Sequence, residues 1–165
     1  MKIFMRTGLF TVLALVLLAG FGCGKNPVDT QTPENPYGDE QFTAEERQAA
    51  MQITNGTIFF AFDSFDLRPD SKDTLSRKAA VMKQFPQLRV VIEGHTDERG
   101  TEEYNLALGE RRARAAFEFL VNLGVPASQM EMVSFGKLHP AVHGSSEAVW
   151  AQNRRDEFKV TKTTY

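Results

Sequence analysis

Cys23 is the only cysteine in the 165-residue chain, so no intramolecular disulfide can staple its fold. Any stable structure must come from a packed core. The position of Cys23 narrows which residues can supply that core. Lys2 and Arg6 form a positive start, Leu9 to Leu18 is a nearly unbroken apolar run, and Ala19, Gly20 and Gly22 lead to the cysteine. That is the layout of a secretory signal, and the apolar run is too short to span a bilayer. Residues 1–22 are therefore expected to be a signal peptide. Without Lys2 and Arg6 the chain has 17 basic and 21 acidic residues, a net charge of −4. A nucleic-acid binder carries the opposite excess, so no nucleic-acid partner is expected.

Leu18-Ala19-Gly20-Phe21-Gly22-Cys23 resembles a lipobox, with Gly20 where the pattern prefers Leu. Cys23 is accordingly expected to become the lipidated N-terminus, where more than one acyl chain makes anchoring to the bilayer stable. Gly24, rather than Asp, follows the cysteine, which favours lipid anchoring in the outer membrane on its periplasmic face. From Gly24 to Phe42 the sequence is polar and holds Pro27, Pro33 and Pro36. It cannot bury enough apolar surface to fold alone. Residues 23–56 read as a tether, with a short helix opened by the capping-box pattern Thr43-Ala44-Glu45-Glu46.

Residues 57–165 read as the folded domain. Thr57 to Phe62 is a strand candidate, rich in aromatic and β-branched residues. Pro69 and Asp70 open a helix through Phe85, with Leu75, Ala79 and Met82 on one face and Pro86 as its stop. Leu88 to Glu93 is a second strand. Glu102 to Leu123 is a long helix closed by Gly124 and Pro126. Met130 to Phe135 and Glu157 to Thr161 are two further strands. The order strand–helix–strand–helix–strand–strand predicts an α/β domain, a two-layer α+β sandwich with one sheet and helices on one face.

The stretch with most chemistry runs from Gly94-His95-Thr96-Asp97-Glu98-Arg99-Gly100 to Tyr104-Asn105 and Leu108-Gly109-Glu110-Arg111-Arg112-Ala113. It reads as a strand end, a polar loop and a helix start, a frequent location for ligand sites. Helix phase separates the two arginines. With Leu106, Ala113, Phe117 and Leu120 on the core face, Arg111 points to solvent and Arg112 lies at the core's edge. There a guanidinium can pack its stem and present its fork to a groove. Geometry alone leaves two roles for Arg112 open: a salt bridge to Asp97 or Glu98, or ligand binding.

These pieces, with Phe60-Ala61-Phe62-Asp63-Ser64 and Asn153-Arg154-Arg155, resemble the OmpA-like peptidoglycan-binding domain family over roughly residues 57–162. The resemblance implies a mixed four-stranded sheet, with peptidoglycan as partner through the diaminopimelate of its stem peptides. It implies that Asp97 receives the ligand's ammonium and Arg112 its carboxylate, with Phe62, Asp63, Arg99 and Leu108 lining the pocket. One acid and one base at fixed separation suit an amino-acid zwitterion, and arginine grips a carboxylate in a fork that lysine cannot form. Asn105 is expected to brace the Asp97 loop, and Arg154-Arg155 the last strand. The lipoprotein layout favours lipid-anchored members of the family over those with a membrane barrel, and such members also engage a TolB-like protein.

Two other readings compete. A metal-dependent cell-wall hydrolase would draw on Glu93, His95, Asp97, His139 and His143, but no spacing matches a zinc signature. No serine sits in a Gly-x-Ser-x-Gly elbow. An adaptor acting mainly through protein partners would use Phe59-Phe60-Ala61-Phe62 or Trp150. The expectation is a binding protein with no catalysis and no cofactor or metal beyond covalent lipid on Cys23. No site is expected in the loop from His139 to Trp150.

Overall fold

The computed structural model describes residues 42–162. The expected signal peptide, the lipid site at Cys23 and most of the expected tether lie outside the described residues. The elements are α1 (Ala44–Thr54), β1 (Ile58–Phe59), α2 (Pro69–Gln84), β2 (Leu88–His95), α3 (Glu102–Asn122), β3 (Met130–Gly136), α4 (Glu147–Asn153) and β4 (Arg155–Lys162). One sheet has the order β1-β4-β2-β3. β2 runs parallel to β3 and antiparallel to β4, which pairs antiparallel with β1. The α/β architecture with a mixed four-stranded sheet is the one expected.

Alternation along the strands decides which face is filled. Leu88, Val90 and Ile92 of β2, with Phe158 and Val160 of β4, point to the helices. They meet Leu75, Ala79 and Met82 from α2 and Ala113, Ala116 and Leu120 from α3. These three α2 residues are the stripe expected from the 3.6-residue period. Among the described residues, no helix is long and apolar enough to cross a membrane.

α1 departs from the sequence reading in its role. Its capping box forms in both directions: Glu46 N donates to Thr43 Oγ1 at 3.2 Å, and Thr43 N to Glu46 Oε2 at 2.8 Å. But Ala49 and Ile53 are buried in the main core. Lys78 of α2 donates to the carbonyls of Ile53 and, at 2.6 Å, Asn55, serving acceptors that the helix end leaves open. The core therefore takes in residues before 57, and α1 is part of the folded body.

β1 is shorter than expected. The ladder stops at Phe59 because the chain beyond it turns toward Arg112, which takes the carbonyls of Ala61 and Ser64. Asp63 completes the turn at a φ of 52°, a conformation that Asp tolerates better than most residues. β4 extends further than expected, starting at Arg155.

Candidate functional site

The carboxyl end of β2, the loop Thr96–Thr101 and the start of α3 form one side of a cavity of about 180 Å³. Its position depends on two glycines. A Cβ on Gly94 would lie 2.0 Å from the carbonyl oxygen of Gly109, and one on Gly109 would lie 2.3 Å from Ser134 Oγ. Only hydrogen at both positions lets α3 cross β2 this closely. The approach carries Arg112, less than one turn beyond Gly109, under the end of β2.

All six residues expected to meet ligand line this one cavity: Phe62, Asp63, Asp97, Arg99, Leu108 and Arg112. Thr96, Gly100, Tyr104 and Asn105 complete the wall. Asn105 braces the loop as expected, its amide donating to the carbonyls of Arg99 at 2.8 Å and Thr101 at 2.9 Å. Tyr104 donates its hydroxyl to Asp63, and that bond raises the Tyr104 pKa.

The two central charges are held differently from expectation. Arg112 is fully buried, at 0% exposure, instead of sitting at the core's edge, because Asn105, Leu108 and Gly109 also belong to the buried stripe of α3. It makes no salt bridge to Asp97 or Glu98. It donates to three carbonyls: Ser64 at 2.9 Å, His95 at 2.8 Å and Ala61 at 3.2 Å. Burial lowers its pKa to about 10, opposed by the nearby charges of Asp156 and Asp97, and it stays cationic at neutral pH. Arg111 is exposed, as its helix phase predicts.

Asp97 is clasped by Arg99, with Nε to Oδ1 at 3.0 Å and Nη2 to Oδ2 at 2.6 Å, the parallel two-bond pairing of a guanidinium with a carboxylate. The Arg99 backbone N–H adds a bond at 3.1 Å, and Arg154 Nη1 reaches Oδ2 at 3.3 Å. Burial raises the Asp97 pKa, but these donors outweigh it and hold the carboxyl below its ordinary value. Arg99 lies between two aromatic rings, its guanidinium carbon 4.0 Å from the ring centroids of both Phe62 and Trp150. Such stacking favours a cation by about 0.5–2 kcal/mol per ring.

Three participants escaped the sequence reading. Trp150 and Glu147 come from α4, in a segment expected to be a loop without a site. Trp150 Nε1 also donates to Glu98 at 2.9 Å. Arg154 does not brace the last strand: it bridges Asp97, the carbonyl of Phe60 at 3.2 Å and Glu147 at 2.7 Å. Ser146 caps α4 from its side chain, with Glu147 following, and this pattern was the available sequence signal. The hydrolase ligands do not assemble as a set. Asp97 is in the cavity, His139 and His143 are exposed, and Glu93 and His95 sit on the other face of the sheet.

Residues 59–154 match the OmpA family. The chain is 41% identical over 166 residues to a Pseudomonas aeruginosa protein named peptidoglycan-associated lipoprotein, covering 94% of this chain and 98% of that one. It is 40% identical to the Pseudomonas putida protein of the same name, with the same coverage. The crystal structure of the peptidoglycan-associated lipoprotein from Burkholderia pseudomallei superposes with a TM-score of 0.64 at 44% identity, covering 67% of this chain and 93% of that one. The C-terminal domain of Helicobacter pylori MotB shares the fold, at a TM-score of 0.61 and 21% identity. The chain is not an enzyme, in keeping with the non-enzymatic character of the domain and of these relatives. Family match and full-length relatives agree, and the chain belongs to the OmpA family, among proteins named peptidoglycan-associated lipoprotein.

Proposed function

We propose that this protein is an outer-membrane lipoprotein that binds peptidoglycan non-covalently, holding the diaminopimelate of a stem peptide in the cavity at the end of β2. The observation that carries the reading is the convergence of Asp97, Arg99 and Arg112 on one cavity beside apolar Phe62 and Leu108. The exposed end of diaminopimelate carries an ammonium and a carboxylate on one carbon. Asp97 meets the ammonium, which takes a share of the carboxylate now clasped by Arg99. Arg112 meets the carboxylate with the N–H groups not committed to the three carbonyls. Charge-assisted bonds of this type contribute about 1.5–3 kcal/mol each, enough for two of them to decide specificity.

Lipid on Cys23 supplies the membrane end, and residues 24–42 supply the reach. From Cys23 to Thr43 the chain is 20 residues long, spanning about 70 Å if fully extended and about 25 Å as a flexible coil. Such a strap links membrane and wall, and this reading includes a Tol–Pal role in envelope integrity and cell division, with a TolB-like partner. One experiment tests both ends. Co-sedimentation with purified sacculi should be lost in Asp97→Asn at an unchanged circular-dichroism spectrum, while Cys23→Ser should keep sacculus binding but leave the membrane fraction. Full sacculus binding by Asp97→Asn removes the site, and membrane retention of Cys23→Ser removes the anchor.

A further inference from the structure

On the sheet face turned away from the helices, β2 and β4 set Glu93 directly opposite Glu157, with His95 two residues further along β2. Like charges opposite one another on paired strands repel. His95 is only 3% exposed, and neither of its ring nitrogens has a hydrogen-bond partner. A buried polar group left in that state is destabilising and rare enough to require a reason. The unpartnered imidazole and the two opposed carboxylates meet at one point, since one ligand atom from each of Glu93, His95 and Glu157 lies within 4.8 Å of the other two. The His95 Nε2 to Glu93 Oε2 distance is 3.9 Å.

We propose that Glu93, His95 and Glu157 bind one divalent transition-metal cation of the Zn²⁺ type, on the face of the sheet opposite the helices. The donor set decides the class. One imidazole with two carboxylates suits borderline Zn²⁺ or the harder Mn²⁺, whereas Ca²⁺ takes six to eight oxygens and soft ions take sulfur. Bonds of about 2.0–2.2 Å require the three side chains to close up by roughly 1 Å, which glutamate rotamers allow. Water fills the remaining coordination.

The surrounding charges fix which carboxylate oxygen is available. Arg155 Nε donates to Glu157 Oε1 at 2.6 Å, and Lys159 Nζ to Oε2 at 2.8 Å. Arg155 is itself tied to the carbonyls of Asn153 and His139, so it orients the carboxylate as an outer partner of the ion. The Lys159 side chain is about one-third exposed and can swing to solvent. Lys159 is thus the competitor that the cation displaces. The role is structural: the His95 carbonyl accepts from Arg112 at 2.8 Å, so an ion on the His95 ring pins the strand end behind the cavity.

Isothermal titration of the full chain, stripped with a chelator and then given Zn²⁺ or Mn²⁺ alone, tests the proposal. One ion per chain is expected, with a raised melting temperature. Affinity should fall at least about tenfold in His95→Gln and Glu157→Gln, rise in Lys159→Ala, and stay unchanged in His143→Gln. If His95→Gln does not fold, the half-buried Glu157→Gln carries the test. The absence of a one-per-chain site for either ion overturns the proposal, as does full affinity in Glu157→Gln.

Discussion

Single residues at this site are judged by what satisfies them. Arg112 saturates three carbonyls from two separate chain segments, so it shapes the pocket as well as facing it. Its neighbour on β4 is the opposite case. Asp156 is completely buried, and neither carboxyl oxygen has a hydrogen-bond partner. Burial pushes its pKa well above the ordinary value, against the pull of Arg112 and Arg155. A carboxyl raised in the folded state binds its proton more tightly there than in the unfolded chain. Its contribution to stability is therefore largest below the unfolded pKa and falls as pH rises above it. Asp156→Asn, which cannot ionise, should raise the melting temperature more at pH 7 than at pH 4. An equal shift at both values would mean that folding does not raise the pKa of this carboxyl. Asp156 stands where a more apolar residue suits the start of a half-buried strand. Its proximity to Arg112 is invisible in sequence because β4 and α3 meet only in the fold.

At the scale of elements, the Gly94–Gly109 crossing governs the geometry of the cavity. A methyl group at Gly109 meets Ser134 Oγ and the Gly94 carbonyl together. Gly109→Ala should therefore cost about 1–3 kcal/mol by overpacking, read as a lower urea midpoint, and should weaken sacculus binding. An unchanged midpoint would show that the crossing can relax. α1 is held by Glu46, which accepts from Gln87 at 2.9 Å, from the Thr43 backbone and from Lys162 at 2.9 Å. Those bonds lower its pKa to about 2. A depressed carboxylate stabilises the fold above its unfolded pKa, and that stability is lost as pH falls from about 4.5 toward 2. Glu46→Gln should flatten the drop in melting temperature across that window, and an unaltered drop would assign it to other carboxylates. The helices α2 and α3 and strands β2 to β4 were legible because each carries a clear period, with Pro86 stopping α2 and Gly124 and Pro126 stopping α3. α1 was legible as a helix but not as core, since a capping box specifies a start and says nothing about docking. α4 was missed because seven residues give too little periodicity. With it went Trp150, the second ring of the Arg99 clamp.

The whole molecule combines a domain whose site is built from distant parts with a long N-terminal segment. Phe62, Asp97, Arg112 and Arg154 belong to separate stretches of the chain, and motif resemblance brought the first three together before the structure did. Helix phase distinguished Arg111 from Arg112 correctly, but it could not place Arg112 at full burial, which depends on the chain after β1 turning over it. The strap reading needs both ends to work at once, and its specific half is recognition of an amino-acid zwitterion by Asp97 and Arg112. Competition of sacculus binding by soluble meso-diaminopimelate measures that half without altering the protein. Increasing meso-diaminopimelate should release the bound protein from sacculi, while Nα-acetyl-lysine, which has no ammonium and carboxylate on one carbon, should not. Binding that persists at saturating meso-diaminopimelate would contradict it.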